Sequence, residues 1–119
     1  MAANILKAGH SHTVDDIKRE AAESLLEYGA VWAGTPKDVA AADEMIFTSL
    51  PGPKEVESVA LGAKGILEGI QPGSVYVDLT TNSPEWYVRY MTDLKKRAFR
   101  LNKSWLHRAI SWANPFITI

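Results

Sequence analysis

Pro72-Gly73-Ser74-Val75-Tyr76-Val77-Asp78-Leu79-Thr80-Thr81-Asn82-Ser83-Pro84 reads as a turn, a short apolar strand and a polar loop that leads into a helix. Pro72-Gly73 punctuates the chain, Val75 to Leu79 has strand composition, and Thr81 or Ser83 ahead of Pro84 has the form of a helix cap. The same syntax recurs upstream. Glu44 to Leu50 is an apolar run of strand length stopped by Pro51-Gly52-Pro53, and Lys54 to Leu61 then reads as a helix with Val56, Val59 and Ala60 inward. Further back, Ala30 to Trp32 is a brief strand before Thr35-Pro36 and a short helix over Lys37 to Ala42. Ser11 to Val14 is a strand that ends at Asp15-Asp16 and feeds a helix over Ile17 to Tyr28, with Ile17, Ala21, Leu25 and Tyr28 apolar. Ala2 to Ala8 reads as the last turns of a helix closed by Gly9. Strands alternating with helices at this spacing predict an α/β fold, a parallel sheet covered on both faces.

The 119 residues, 46% of them hydrophobic, suffice for one compact domain. With no cysteine, a disulfide framework, a thiolate nucleophile and a Cys-ligated metal are excluded. No apolar run has the length of a membrane span, and the first residues lack the pattern of a secretory signal, so a soluble intracellular protein, cytoplasmic or mitochondrial, is expected. The net charge of -1 hides an asymmetry: residues 1–85 carry 6 basic and 13 acidic side chains, residues 86–119 carry 7 and 1. The chain is therefore read as an acidic body over 1–85 and a basic, Trp-rich segment over 86–119.

In parallel sheets chemistry gathers at the carboxyl ends of strands. Those ends are Asp15-Asp16, Ser49 to Pro53 and Asp78 to Pro84. A carboxylate such as Asp16 at a strand end can accept both hydroxyls of a ribose, although Asp15 and Asp16 also read as caps for the next helix. Thr80 and Thr81 by themselves read as a turn ahead of Pro84.

The segments M-A-A-N-I-L-K-A-G-H, T-V-x-D, T-S-L-P, L-G-x-x-G-I-L-E-G and P-G-S-V-Y-V-D-L-T-T-N-S-P, in that order from Met1 to about Glu85, resemble the cofactor domain of the β-hydroxyacid dehydrogenases. The resemblance implies a Rossmann-like fold, NAD or NADP as cofactor, and hydride exchange with a small 3-hydroxy acid or semialdehyde. On it, Asp16 matches the acid that selects NAD, where many relatives carry Asn-Arg and use NADP. Leu50 and Pro51 match the loop under the nicotinamide ribose, Val56 a helix position beside it, and Thr80 and Thr81 the hydroxyl pair near nicotinamide and substrate.

Two departures accompany the likeness. Relatives precede M-A-x-N-L with a first strand and the glycine loop G-x-G-x-M-G, and no G-x-G-x-x-G occurs in this sequence. In the strand order 3-2-1-4-5-6 the first strand sits centrally, so an incomplete sheet is expected, split between Ser11–Val14 and Glu44–Leu50, with unpaired edges that favour association with another chain. Relatives also carry D-A-P-V-S-G-G downstream and a catalytic lysine in G-x-x-x-K-x-x-N. Lys64, Lys95, Lys96 and Lys103 lack that context, and no catalytic residue is assigned.

Pro84 to about Arg97 reads as a helix with a broken apolar stripe of Trp86, Val88, Tyr90, Met91 and Leu94, after which Ala98 to Leu101 stands where a strand would follow. The basic and aromatic side chains from Lys95 to Arg100, with Trp105, His107, Arg108 and Trp112, have the composition of a nucleic-acid or anionic-lipid contact. The preferred reading is instead an altered end on a truncated dehydrogenase domain, and neither nucleic acid nor membrane is expected as a partner. His10, His12 and His107 make no metal pair at helical spacing, and Glu20, Glu23 and Glu27 form a solvated face. The expectation is thus a partial dinucleotide-binding domain that is not catalytic alone. The alternative is a non-catalytic interaction module.

Overall fold

The computed structural model describes residues 2–81, 83–103, 106 and 109–111. Trp105, His107, Arg108 and Trp112, on which the nucleic-acid reading leaned, lie outside the described residues, as does Asn82. The chain runs α1 (Ala2–Lys7), β1 (Thr13–Val14), a 3-10 turn (Arg19–Ala22), α2 (Glu23–Glu27), β2 (Val31–Trp32), α3 (Pro36–Ala42) and β3 (Met45–Thr48). It continues with α4 (Pro53–Leu61), α5 (Ile66–Gly69), β4 (Val75–Asp78), α6 (Pro84–Arg100) and β5 (Ala109–Ser111).

The fold is α/β with parallel strands, and the strands form two ladders. β1 pairs with β2, Thr13 opposite Val31. β3 pairs with β4, Met45 opposite Val75, and β4 pairs with β5, Tyr76 opposite Ala109. Among the described residues β1 and β3 do not pair, so the sheet is divided at the expected place. β5 was not foreseen, because Ala109-Ile110-Ser111 is too short for periodicity and lacks a flanking turn signal.

Each ladder has its own core. Under β3 and β4 lie Ala40, Ile46, Val56, Ala60, Ile66, Leu67, Ile70, Tyr76, Tyr87, Tyr90, Met91, Leu94, Ala98 and Leu106. Around β1 and β2, among the described residues, the buried cluster is Val14, Ala22 and Ala30, with Leu6, Leu25, Leu26 and Trp32 packed against them. The residues of α6 therefore belong to the larger core, although the charge asymmetry begins within this helix. Its buried face is Tyr87, Tyr90, Met91, Leu94 and Ala98, a spacing of three and four that places Val88 outside. The helix starts where Ser83 Oγ accepts from Trp86 N at 3.2 Å and extends to Arg100, so Ala98 to Arg100 is helix and not strand.

The predicted helix over Ile17–Tyr28 is shorter and irregular. Lys18 is extended, Ile17 is 95% exposed and the buried residue is Ala22. Asp16 Oδ1 takes the Lys18 amide at 2.9 Å, which closes a local turn and delays helix entry.

Helix α3 spans the two ladders, touching β1, β3 and α5. Thr35 caps it by accepting from Asp38 N at 3.2 Å, and Lys37 N donates to Lys64 O at 2.9 Å. Lys64 adopts φ 55°, the left-handed region, to present that carbonyl. Gly69 lets α5 close on α3: a Cβ there would overlap the Lys37 carbonyl oxygen. Lys103 Nζ then donates to Glu68 O at 2.9 Å and Ile70 O at 3.1 Å, satisfying carbonyls at the end of α5. Burial pushes the Lys103 ammonium down from its ordinary range, Lys37 adds to this, and Glu68 opposes it. Among the described residues no helix is long and apolar enough to cross a membrane.

Candidate dinucleotide-binding site

Parallel pairing of β3 and β4 in register brings their carboxyl ends side by side, Thr48 opposite Asp78. Leu79 N donates to Thr48 O at 2.7 Å, and Leu50 N donates to Thr80 Oγ1 at 3.0 Å, so the two loops are joined immediately beyond the strands. Leu50 is half-buried, Thr80 is buried, and Pro51 and Thr81 are exposed on the same two loops. Val56, on the helix that follows Pro51, is fully buried and faces the core. The structure thus brings Leu50 and Thr80 into contact and leaves Pro51 and Thr81 open to solvent.

Asp16 stands apart from these, after β1 in the other ladder, exposed and holding the Lys18 amide. Its neighbour Asp15 is half-buried, and its carboxyl is raised above the ordinary range by burial first, then by the charge of Asp16. The exposed carboxylate of Asp16 therefore follows one ladder, and the exposed Pro51 and Thr81 follow the other. Among the described residues no group of three His, Asp or Glu is placed to hold a metal.

Behind the joined loops lies a buried polar network of which sequence reading named Asp78, Thr80 and Tyr90 without connecting them. Asp78 is fully buried. Its Oδ1 accepts from Thr48 Oγ1 at 2.8 Å and from Thr80 N at 3.0 Å, and its Oδ2 accepts from the Tyr87 hydroxyl, which also reaches Thr80 O at 2.6 Å. Thr48 Oγ1 and Tyr76 OH are 3.1 Å apart, as are Tyr76 OH and Tyr90 OH. A hydroxyl has one proton to give. Since Thr48 gives its proton to Asp78, Tyr76 must donate to Thr48 and Tyr90 to Tyr76, which orders the chain in one direction toward the carboxyl group.

Burial raises both the Tyr76 and the Tyr90 phenols well above the ordinary tyrosine range; the charge of Asp78 adds to Tyr76, and Tyr76 adds to Tyr90. Both phenols therefore stay neutral donors through the physiological range. The available signal was periodicity: Tyr76, Asp78 and Thr80 alternate along one face, and Tyr87 and Tyr90 are three apart on a helix.

The chain belongs to the family described as the NAD binding domain of 6-phosphogluconate dehydrogenase, whose match spans residues 1–102. This makes it an NAD(P)-binding domain of the oxidoreductase class, as the resemblance to β-hydroxyacid dehydrogenases implied. Among its relatives, it is 32% identical over 101 residues to the 3-sulfolactaldehyde reductase of Escherichia coli (strain K12), covering 85% of this chain and 34% of that protein. It is 36% identical over 98 residues to an uncharacterized oxidoreductase of Bacillus subtilis (strain 168), covering 82% and 34%. Among solved structures, Psf3 in complex with NADP+ and 2-OPP superposes with a TM-score of 0.71 at 25% identity, over 92% of this chain and 36% of that one. The chain spans about a third of the length of these relatives.

Proposed function

We propose that these residues form the ribose-binding part of a reductase that exchanges hydride between C4 of a nicotinamide and a small 3-hydroxy acid or its semialdehyde. The observation that carries the reading is the Leu50 N to Thr80 Oγ1 bond of 3.0 Å, which joins two loops at the carboxyl ends of neighbouring parallel strands. Leu50 and Pro51 lie under the nicotinamide ribose, Val56 anchors the helix beside it, and Thr80 and Thr81 face nicotinamide and substrate. Asp16 accepts the adenosine ribose hydroxyls and repels a 2′-phosphate, favouring NAD over NADP. The bound nicotinamide supplies the hydride chemistry; the protein supplies orientation. An aldehyde substrate is supported by the named activity of the Escherichia coli relative, a 3-sulfolactaldehyde reductase.

With no G-x-G-x-x-G in the 119 residues, backbone amides for the pyrophosphate are missing from the sequence, and the chain alone holds the cofactor weakly and does not turn it over. Titrating NADH and NADPH into the 15N-labelled chain tests this. NADH is expected to move the amides of Asp16, Leu50, Thr80 and Thr81 at millimolar concentration, and NADPH to act more weakly at Asp16. Micromolar affinity, or turnover of 3-hydroxyisobutyrate or succinic semialdehyde by the purified chain, would overturn the proposed division of labour. Shifts confined to other surfaces would overturn the site.

A further inference from the structure

We infer that Asp78 is a positioning residue for the nicotinamide side of the cofactor, tying the loops after β3 and β4 to each other and to helix α6; this role rests on the site proposed above. Asp78 reaches both strands and the helix. Its Oδ1 collects Thr48 at the end of β3 and the amide of Thr80 in the loop after β4, while Tyr87 of α6 bridges Oδ2 and the Thr80 carbonyl. Thr80 is thereby held at its N–H by Asp78, its C=O shares the single Tyr87 proton with Asp78 Oδ2, and its Oγ1 accepts from Leu50 N. A loop pinned at three backbone groups cannot swing its hydroxyl independently of its neighbour.

The proton inventory separates the variants. Asp78→Leu removes both carboxylate acceptors and strands the Thr80 amide in a buried site, while the Tyr87 hydroxyl keeps Thr80 O and the Thr48 hydroxyl keeps Tyr76 OH. Asp78→Asn retains an acceptor oxygen at the Oδ1 position, and its amide nitrogen at the Oδ2 position can donate to the Tyr87 oxygen while Tyr87 donates to Thr80 O. Asparagine therefore keeps bonds that leucine removes; because leucine is also bulkier than aspartate, Tyr87→Phe, which only deletes a hydroxyl, separates the loss of a hydrogen bond from overpacking.

The test uses the 119-residue chain, NADH as the probe, and amide exchange read by NMR. In Asp78→Leu the Leu50 and Thr80 amides are expected to exchange at least about tenfold faster and the NADH response at Leu50, Thr80 and Thr81 to weaken by about tenfold, with the response at Asp16 kept. Asp78→Asn is expected to stay within about twofold of the wild type. If Asp78→Leu does not fold, Tyr87→Phe carries the same comparison at about fivefold. A folded Asp78→Leu chain, or failing that Tyr87→Phe, with unchanged Leu50 and Thr80 exchange and an unchanged NADH response overturns the role of Asp78 while leaving the site intact. A wild-type chain blind to NADH overturns the site and the role together.

Discussion

The two ladders differ in how they are held. Among the described residues the β3–β4 ladder shares a cluster of fourteen buried side chains and a buried hydrogen-bond network, whereas the β1–β2 ladder has a cluster of three and two-residue strands. Both carry proposed ribose contacts, yet their physical support is unequal. Burial scales with the number of apolar side chains removed from water, so the adenosine side is the half expected to open first, on a small fraction of the global stability.

That contrast can be broken by substitution. Leu94→Ala, in the large core, is expected to destabilise the chain by about 2–5 kcal/mol, whereas Leu25→Ala, half-buried in α2, should cost about 1 kcal/mol. Chemical denaturation gives both values. Hydrogen exchange should show Val31 and Ala33, bonded to His12 O and Val14 O, opening more readily than Leu79, bonded to Thr48 O. Equal protection of all three amides would abolish the distinction.

Alkaline pH sharpens it. Tyr76 and Tyr90 have folded pKa values raised above the unfolded value of 10.0, so their contribution is complete below pH 10 and is lost as pH rises above it, because the unfolded chain releases the protons first. Stability should fall by about 1.4 kcal/mol per pH unit for each phenol above pH 10. Tyr90→Phe should halve that slope in urea titrations, and amides of β1 and β2 should report no separate transition. An unaltered slope would remove the phenols from the account.

The smallest effect lies at Asp15. Its raised carboxyl pKa means that its favourable contribution is present below the ordinary value of 3.8 and disappears as pH rises through the folded value, leaving a charged, half-buried group beside Asp16 at neutrality. Asp15→Asn should stabilise the small ladder at pH 7 by no more than about 0.5 kcal/mol, and the gain should vanish in acid. Melting curves at pH 7 and pH 3.5 distinguish this from a pH-independent change.

Much of the large ladder was legible because its signals were local. Pro51-Gly52-Pro53, Pro72-Gly73 and Ser83-Pro84 mark where elements stop and start, and β3 and β4 carry enough apolar residues to show their length. The small ladder was harder. Ile17 and Tyr28 fit a helical stripe, but a side-chain bond from Asp16 to the Lys18 amide changes the entry, and both apolar groups end in solvent. In α6 the stripe was right at Tyr90, Met91 and Leu94 but took Val88 for Tyr87, since Val88 looks more apolar although Tyr87 is the one of the two with an acceptor waiting in the core. The strand ends could be found from sequence, but the bond between Leu50 and Thr80 depends on register across 30 residues, which no short motif encodes.

Gly69 has a mechanical reach beyond its own helix. Because it allows α5 to rest directly against the Lys37 carbonyl, α3 is clamped on its far side while its other contacts include both β1 and β3. The helix acts as a spacer bar between two ladders whose strands do not pair with each other among the described residues.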